Sequence, residues 1–170
     1  MTAWDVILNI PTRAPIWVWP LLIWMIWEGV SAMRRRSVAI WVFWMLPFFA
    51  LISVRGRLEA ASPEIDLPVY FALYALGVAL GHRFQGRVLV ERGARQVVVE
   101  GEALTLITLM VIFWMNFTRG VIEAISPDLL VDPRMIAALA GISGLTSGQF
   151  AGRALRVLRA PMRAAALGAR

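Results

Sequence analysis

Charged residues in this chain are bunched, and the intervals between the bunches are apolar. Between Arg13 and Arg34 lie twenty positions whose only charge is Glu28, long enough for a helix to cross a bilayer core of about 30 Å. The interval opens with Pro15, which suits a first helical turn. Residues 37–54 carry no charge but contain Pro47, which removes one intrahelical hydrogen bond and should bend that helix. Two shorter intervals, 67–82 and 103–118, are bracketed by Asp66 and Arg83 and by Glu102 and Arg119. A fifth, 135–152, follows Asp132-Pro133, a capping residue and a first-turn proline. The pattern predicts an all-α integral membrane protein, a single domain over residues 1–170 with five spans at about 14–33, 37–54, 67–82, 103–118 and 135–152. A cleaved signal peptide is the weaker reading of the first span, because the arginines follow the apolar stretch instead of leading it.

The segments between spans carry their own signals. Trp4, Ile7 and Leu8 share a helical face before Pro11, which predicts a short N-terminal helix lying on the membrane surface. Ser62-Pro63-Glu64 and Ser126-Pro127-Asp128 each read as a cap, a first-turn proline and an acid. The runs Arg87-Val-Leu-Val-Glu91 and Gln96-Val-Val-Val-Glu100 flank Arg92-Gly93-Ala94-Arg95 and predict a short cytoplasmic β-hairpin. A lone hairpin is marginal in water, so this one should dock on the bundle, the membrane or a partner.

Composition agrees with a membrane protein. Of 170 residues, 59% are hydrophobic and 16% charged, with mean hydropathy +0.70, whereas soluble domains carry about 25% charged residues. An ordinary soluble enzyme is excluded. There is no cysteine and no lysine, so thiolate metal sites and Schiff-base cofactors are excluded too. One histidine cannot build a multi-histidine site within one chain. No cofactor, no metal and no nucleic-acid partner is expected.

Orientation follows from the arginines. With the N-terminus outside, twelve of the seventeen fall on the cytoplasmic side, so the positive-inside rule predicts N-out, C-in topology.

Small residues recur at every fourth position in the fifth span, Ala140, Gly144, Gly148 and Gly152, with Gly141 adjacent, and Gly77 and Gly81 repeat the spacing in the third. Such stripes let helix backbones approach closely, so a glycine-zipper packing surface is expected. Glu28 is an intramembrane carboxylate and a functional candidate by default. It can line a polar crevice with Asn116, Arg119 and the threonines Thr105 and Thr108 of the fourth span, or pair with the cluster Arg34 to Arg36. Arg153, Arg156 and Arg159 recur every third residue and are expected to touch anionic headgroups. His82 sits beside Arg83 at a span end, where an interfacial residue needs no further role. Of the eight tryptophans, Trp4, Trp17, Trp19, Trp24, Trp27, Trp41, Trp44 and Trp114, several fall near an expected interface and suit an aromatic belt, while Trp24 and Trp44 lie deeper, where lipid contact is favoured over a stacked pigment or quinone.

With those residues laid out, the chain resembles a family of small, uncharacterised bacterial multi-pass inner-membrane proteins known only as a domain of unknown function. The resemblance rests on Ala14-Pro15-Ile16-Trp17-Val18-Trp19, on Arg35-Arg36-Ser37 followed by Leu46-Pro47, on Gly101 leading into the fourth span, and on Gly144-x3-Gly148-x3-Gly152-Arg153. It implies an inner-membrane helical fold and no activity. Family members often carry a lysine where this chain has Asn116, so the resemblance implies no anion site there. The expected function is a non-enzymatic accessory, assembly or structural subunit, with membrane lipids and other subunits or further copies as partners. The alternative is a small proton-coupled transporter or channel using Glu28.

Overall fold

The computed structural model describes residues 15–45 and 62–161. These fold into helices α1 (Val18–Ser31), α2 (Pro63–Val88), α3 (Leu104–Ile125) and α4 (Pro133–Arg159), a 3-10 helix (Pro127–Val131), and strands β1 (Arg36–Ala39), β2 (Leu89–Arg92) and β3 (Gln96–Val99). Residues 40–45 begin another helix. The expected surface helix before Pro11, the remainder of the second span with Pro47, and the chain after Pro161 lie outside the described residues.

The fold is mostly helical, and two of its described helices are long and apolar enough to cross a membrane, α2 and α3. Five spans were expected. α1 has 14 residues, about 21 Å at 1.5 Å per residue, short of a bilayer core. α4 has 27 residues, ample length, but Gly144, Gly148 and Gly152 on its packing face, together with its arginines, lower its hydropathy. Residues 37–39, placed at the start of the second span, are strand instead.

Helices α2 and α4 are the centre of the structure. Side-chain atoms added to Gly144, Gly148 and Gly152 would run into the backbone carbonyls of Tyr70, Tyr74 and Val78. Both series advance by four residues in the same direction, so the helices are parallel. The contact is reciprocal, since Gly77 and Gly81 meet the carbonyls of Leu145 and Gln149. Backbones this close suit Cα–H to carbonyl contacts, which are worth about 0.5–1 kcal/mol each. Ala140 is fully buried in line with the stripe. Gly141 stands apart, because its nearest neighbours would be Leu73 and Val69 side chains at 3.7 Å.

Two parallel helices align their dipoles in the same sense, which is unfavourable unless charges compensate the ends. Here they do. Glu64 and Asp66 occupy the first turn of α2, and Asp132 caps α4 by accepting from the backbone N–H groups of Arg134 at 2.8 Å and Met135 at 3.3 Å. Arg87, Arg156 and Arg159 sit in the last turns. Ser62 and Ser126 hold N-cap positions without a side-chain capping bond, so their prolines and neighbouring acids mark those starts.

α1 and α3 pair antiparallel. Gly29, late in α1, lies against Leu106, early in α3, while Val18 and Met25 cluster with Phe113, Leu109 and Phe117.

The expected hairpin forms, but within a three-stranded antiparallel sheet of order β1-β3-β2. Arg36 pairs with Val99 and Ala39 with Gln96, and a register shift falls between Leu89 and Glu91. The sheet caps the end of the molecule where α1, α2 and α4 finish and α3 begins. It buries Val97 and Val99 against Phe43, Ala154 and Val157, which is how a hairpin too small to stand alone acquires a core. Arg92 ties it down by donating to the carbonyls of Leu158 and Ala160 at the α4 terminus.

Candidate functional site

The stripes on α2 and α4 both run into polar side chains at the sheet-capped end. Gln85 is four residues beyond Gly81, and Arg153 directly follows Gly152. Parallel packing therefore brings them together. Arg153 donates from Nε to Gln85 Oε1 at 2.9 Å, from Nη1 to Thr105 Oγ1 at 3.0 Å, and from Nη2 to Glu102 Oε1. The Arg153 and Glu102 side chains are only 11% and 12% exposed, and Gln85 is fully buried. Thr105 also donates to Glu102, at 3.1 Å, so one carboxylate oxygen collects a charged and a neutral donor. One turn along α3, Thr108 bonds Gln149 Oε1 at 3.0 Å. The amide nitrogens of Gln85 and Gln149 are buried without a hydrogen-bond partner.

This cluster joins α2, α3 and α4 at one point. A carboxylate and a guanidinium placed together form a neutral unit whose burial is tolerated because its hydrogen bonds are made. Glu102 itself hangs from the backbone link Glu102 N–H to Ala32 O at 3.0 Å, and Gly101 lies so close to the Met33 carbonyl that a side chain would not fit. The cluster is thereby fixed to the end of α1 as well.

The residues singled out from the sequence are dispersed. Glu28 accepts from Arg36 Nη1 at 2.7 Å, with both side chains about one-third exposed. Of the two arrangements open to it, this is pairing with the arginine cluster. Asn116 donates to the Ile112 carbonyl of its own helix and is exposed, and Arg119 is exposed as well. Gly29 sits at the level of Leu106, ten residues before Asn116, so Glu28 and Asn116 are separated by about 15 Å along α3. They share no crevice. Thr105 and Thr108 do face the interior, toward Arg153 and Gln149. Arg153, grouped with Arg156 and Arg159 as a headgroup contact, turns inward to Glu102. Successive third residues rotate by about 300°, so three of them spread over roughly 120° of the helix surface. Arg156 and Arg159 remain exposed. His82 is half-buried beside Gly152, and among the described residues no group of three or more His, Cys, Asp or Glu is placed to hold a metal.

Gln85 and Glu102 were not singled out from the sequence. A signal for Gln85 existed, since a glutamine continuing a Gly77-Gly81 stripe must be buried and so needs a polar partner. Glu102 gave none, because a span boundary accounts for it.

No family model matches the chain, and no curated protein or solved structure matches it either.

Proposed function

We propose that this chain is a non-enzymatic multi-pass protein of the bacterial inner membrane, N-terminus outside and C-terminus cytoplasmic, serving as a structural or assembly subunit. The observation that carries this reading is a contrast between surface and interior. On α1 and α3, Trp17, Ile23, Trp24, Trp27, Ile107 and Trp114 are each more than half exposed, an apolar surface suited to lipid or a neighbouring subunit. Inside, the polar groups around Arg153 are bonded mainly to one another. The parallel sense of α2 and α4, the antiparallel sense of α1 and α3, and the ten described arginines at the sheet-capped end support a multi-pass bundle with its sheet on the cytoplasmic side. The carrier alternative loses its shared crevice when Glu28 pairs with Arg36 and Asn116 faces outward.

Two measurements test the proposal. The protein should stay with carbonate-washed membranes, and release into the aqueous wash would refute membrane integration. Purification in mild detergent with mass analysis should yield a defined stoichiometric partner or a homo-oligomer; a lone monomer that conducts protons in liposomes would refute the subunit role.

A further inference from the structure

The sheet-capped end of the described structure carries ten arginines and four glutamates. Arg36 and Arg153 are paired with Glu28 and Glu102, and Arg92 serves the α4 terminus. Arg156 is exposed and forms no ion pair with an acid among the described residues. Its guanidinium lies against Gly86 of α2, where an added Cβ would fall 3.1 Å from Nε and 3.4 Å from Cζ, so an unneutralised cation stands where α2 and α4 meet.

Arg83 precedes Gly86 by three residues and Arg87 follows Arg83 by four, so Arg83 stands on α2 between Arg156 and Arg87. Arg87 lies over the Phe84 ring, 5.7 Å from its centroid. From Phe84, steps of four residues lead to Leu80 and Leu76, all three of them exposed. An apolar strip thus climbs α2 and ends beneath Arg87, with Arg83 one turn before Arg87 on the flank that leads round to Gly86 and Arg156. Arg156 is one turn past Gly152, about 6 Å.

We propose that this surface is a binding site for an anionic phospholipid, the phosphate held among Arg83, Arg87 and Arg156 and an acyl chain lying along Leu76, Leu80 and Phe84. Basic pockets between helices at the cytoplasmic face recognise such headgroups, and guanidinium forks match phosphate oxygens in pairs. The proposal deepens the membrane reading above and rests on it.

The test is native mass spectrometry of the full chain in detergent with dioleoyl phosphatidylglycerol, dioleoyl phosphatidylcholine or inorganic phosphate added. The wild type should retain one phosphatidylglycerol in preference to phosphatidylcholine, and Arg156→Gln should weaken retention at least tenfold. Arg95→Gln removes the same charge from the exposed hairpin turn and should leave retention unchanged. Gly86→Leu removes no charge but displaces the guanidinium, and it should weaken retention like Arg156→Gln. Circular dichroism and a single monodisperse peak qualify each variant as folded, and Arg156→Lys, which keeps the charge but loses the fork, replaces Arg156→Gln or Gly86→Leu if either fails and should still weaken retention relative to wild type. Equal retention of the two lipids, equal losses in Arg95→Gln and Arg156→Gln, or displacement of the lipid by millimolar phosphate would each overturn the site. Failure of the membrane reading is seen separately, as protein released by carbonate.

Discussion

An added methyl group at Gly148 is the sharpest probe of the α2–α4 contact. The Cβ of Gly148→Ala would overlap the Tyr74 carbonyl oxygen, well inside ordinary contact at 3.4–4 Å. The helices must therefore separate locally, and the obstacle is backbone, which cannot rotate away. Separation also loosens the neighbouring contacts at Gly144 and Gly152, since a gap of 0.5–1 Å already forfeits roughly a quarter to a half of a dispersion well. Overpacking costs about 1–3 kcal/mol, and a rigid obstacle puts this site at the upper end. For a chain of this size that lowers Tm by about 6–12 °C, readable from the intrinsic fluorescence of the eight tryptophans during thermal unfolding in detergent. Two glycines in the same experiment serve as references. An alanine at Gly141 meets only ordinary contacts at 3.7 Å, and one at Gly120 meets nothing within 4 Å, so each should gain about 0.5–1 kcal/mol from reduced backbone entropy. Gly148→Ala unfolding within 1 °C of wild type, or Gly120→Ala losing as much as Gly148→Ala, would refute the packing argument. Gly148→Leu should be more damaging still, and more damaging than Leu145→Ala.

Glu102→Gln should destabilise by about 3–5 kcal/mol because it strands the Arg153 cation in a nearly closed site, while the double variant Glu102→Leu, Arg153→Leu should recover most of that loss; the same thermal unfolding measures both. Glu28→Gln breaks a pair that is one-third exposed, so it should cost under about 1 kcal/mol and leave proton flux in liposomes unchanged. Asp132→Ala removes the α4 cap and should cost about 0.5–2 kcal/mol, with a matching Tm decrease. Alkaline phosphatase fused after Arg170 should be inactive if the C-terminus is cytoplasmic, and an active fusion would overturn the proposed topology.

The small-residue stripes suggested close backbone approach, an oligomer interface or a pore lining, and a Cβ added at Gly77, Gly81, Gly144, Gly148 or Gly152 would run into a carbonyl of the facing helix. The hairpin was legible from its β-branched runs around a glycine turn. Strand β1 was not. Ser37-Val38-Ala39 is apolar enough to begin a span, and what makes it extended is an edge of β3 more than fifty residues away, which no local pattern encodes. Arg153 illustrates a different limit. Its spacing from Arg156 and Arg159 is regular, but a step of three residues does not hold one face, and the partner that turns it inward is Glu102, on another helix. Glu28 was legible as either of two things, and proximity to Arg36 decided between them.

The parallel sense of α2 and α4 also fixes an order of events in synthesis. Gln85 and Arg153 are 68 residues apart, so at about 5–20 residues per second α2 waits roughly 3–14 s for its neighbour. Throughout that interval its glycine face has no helix to fill it and Gln85 has no guanidinium to bond. In the membrane reading proposed above, whatever receives the nascent chain, lipid or insertion machinery, must shelter that face until α4 arrives. A ribosome-stalled chain ending before Pro133 would hold α2 in this waiting state, and its lifetime against membrane proteases would report how well the face is sheltered.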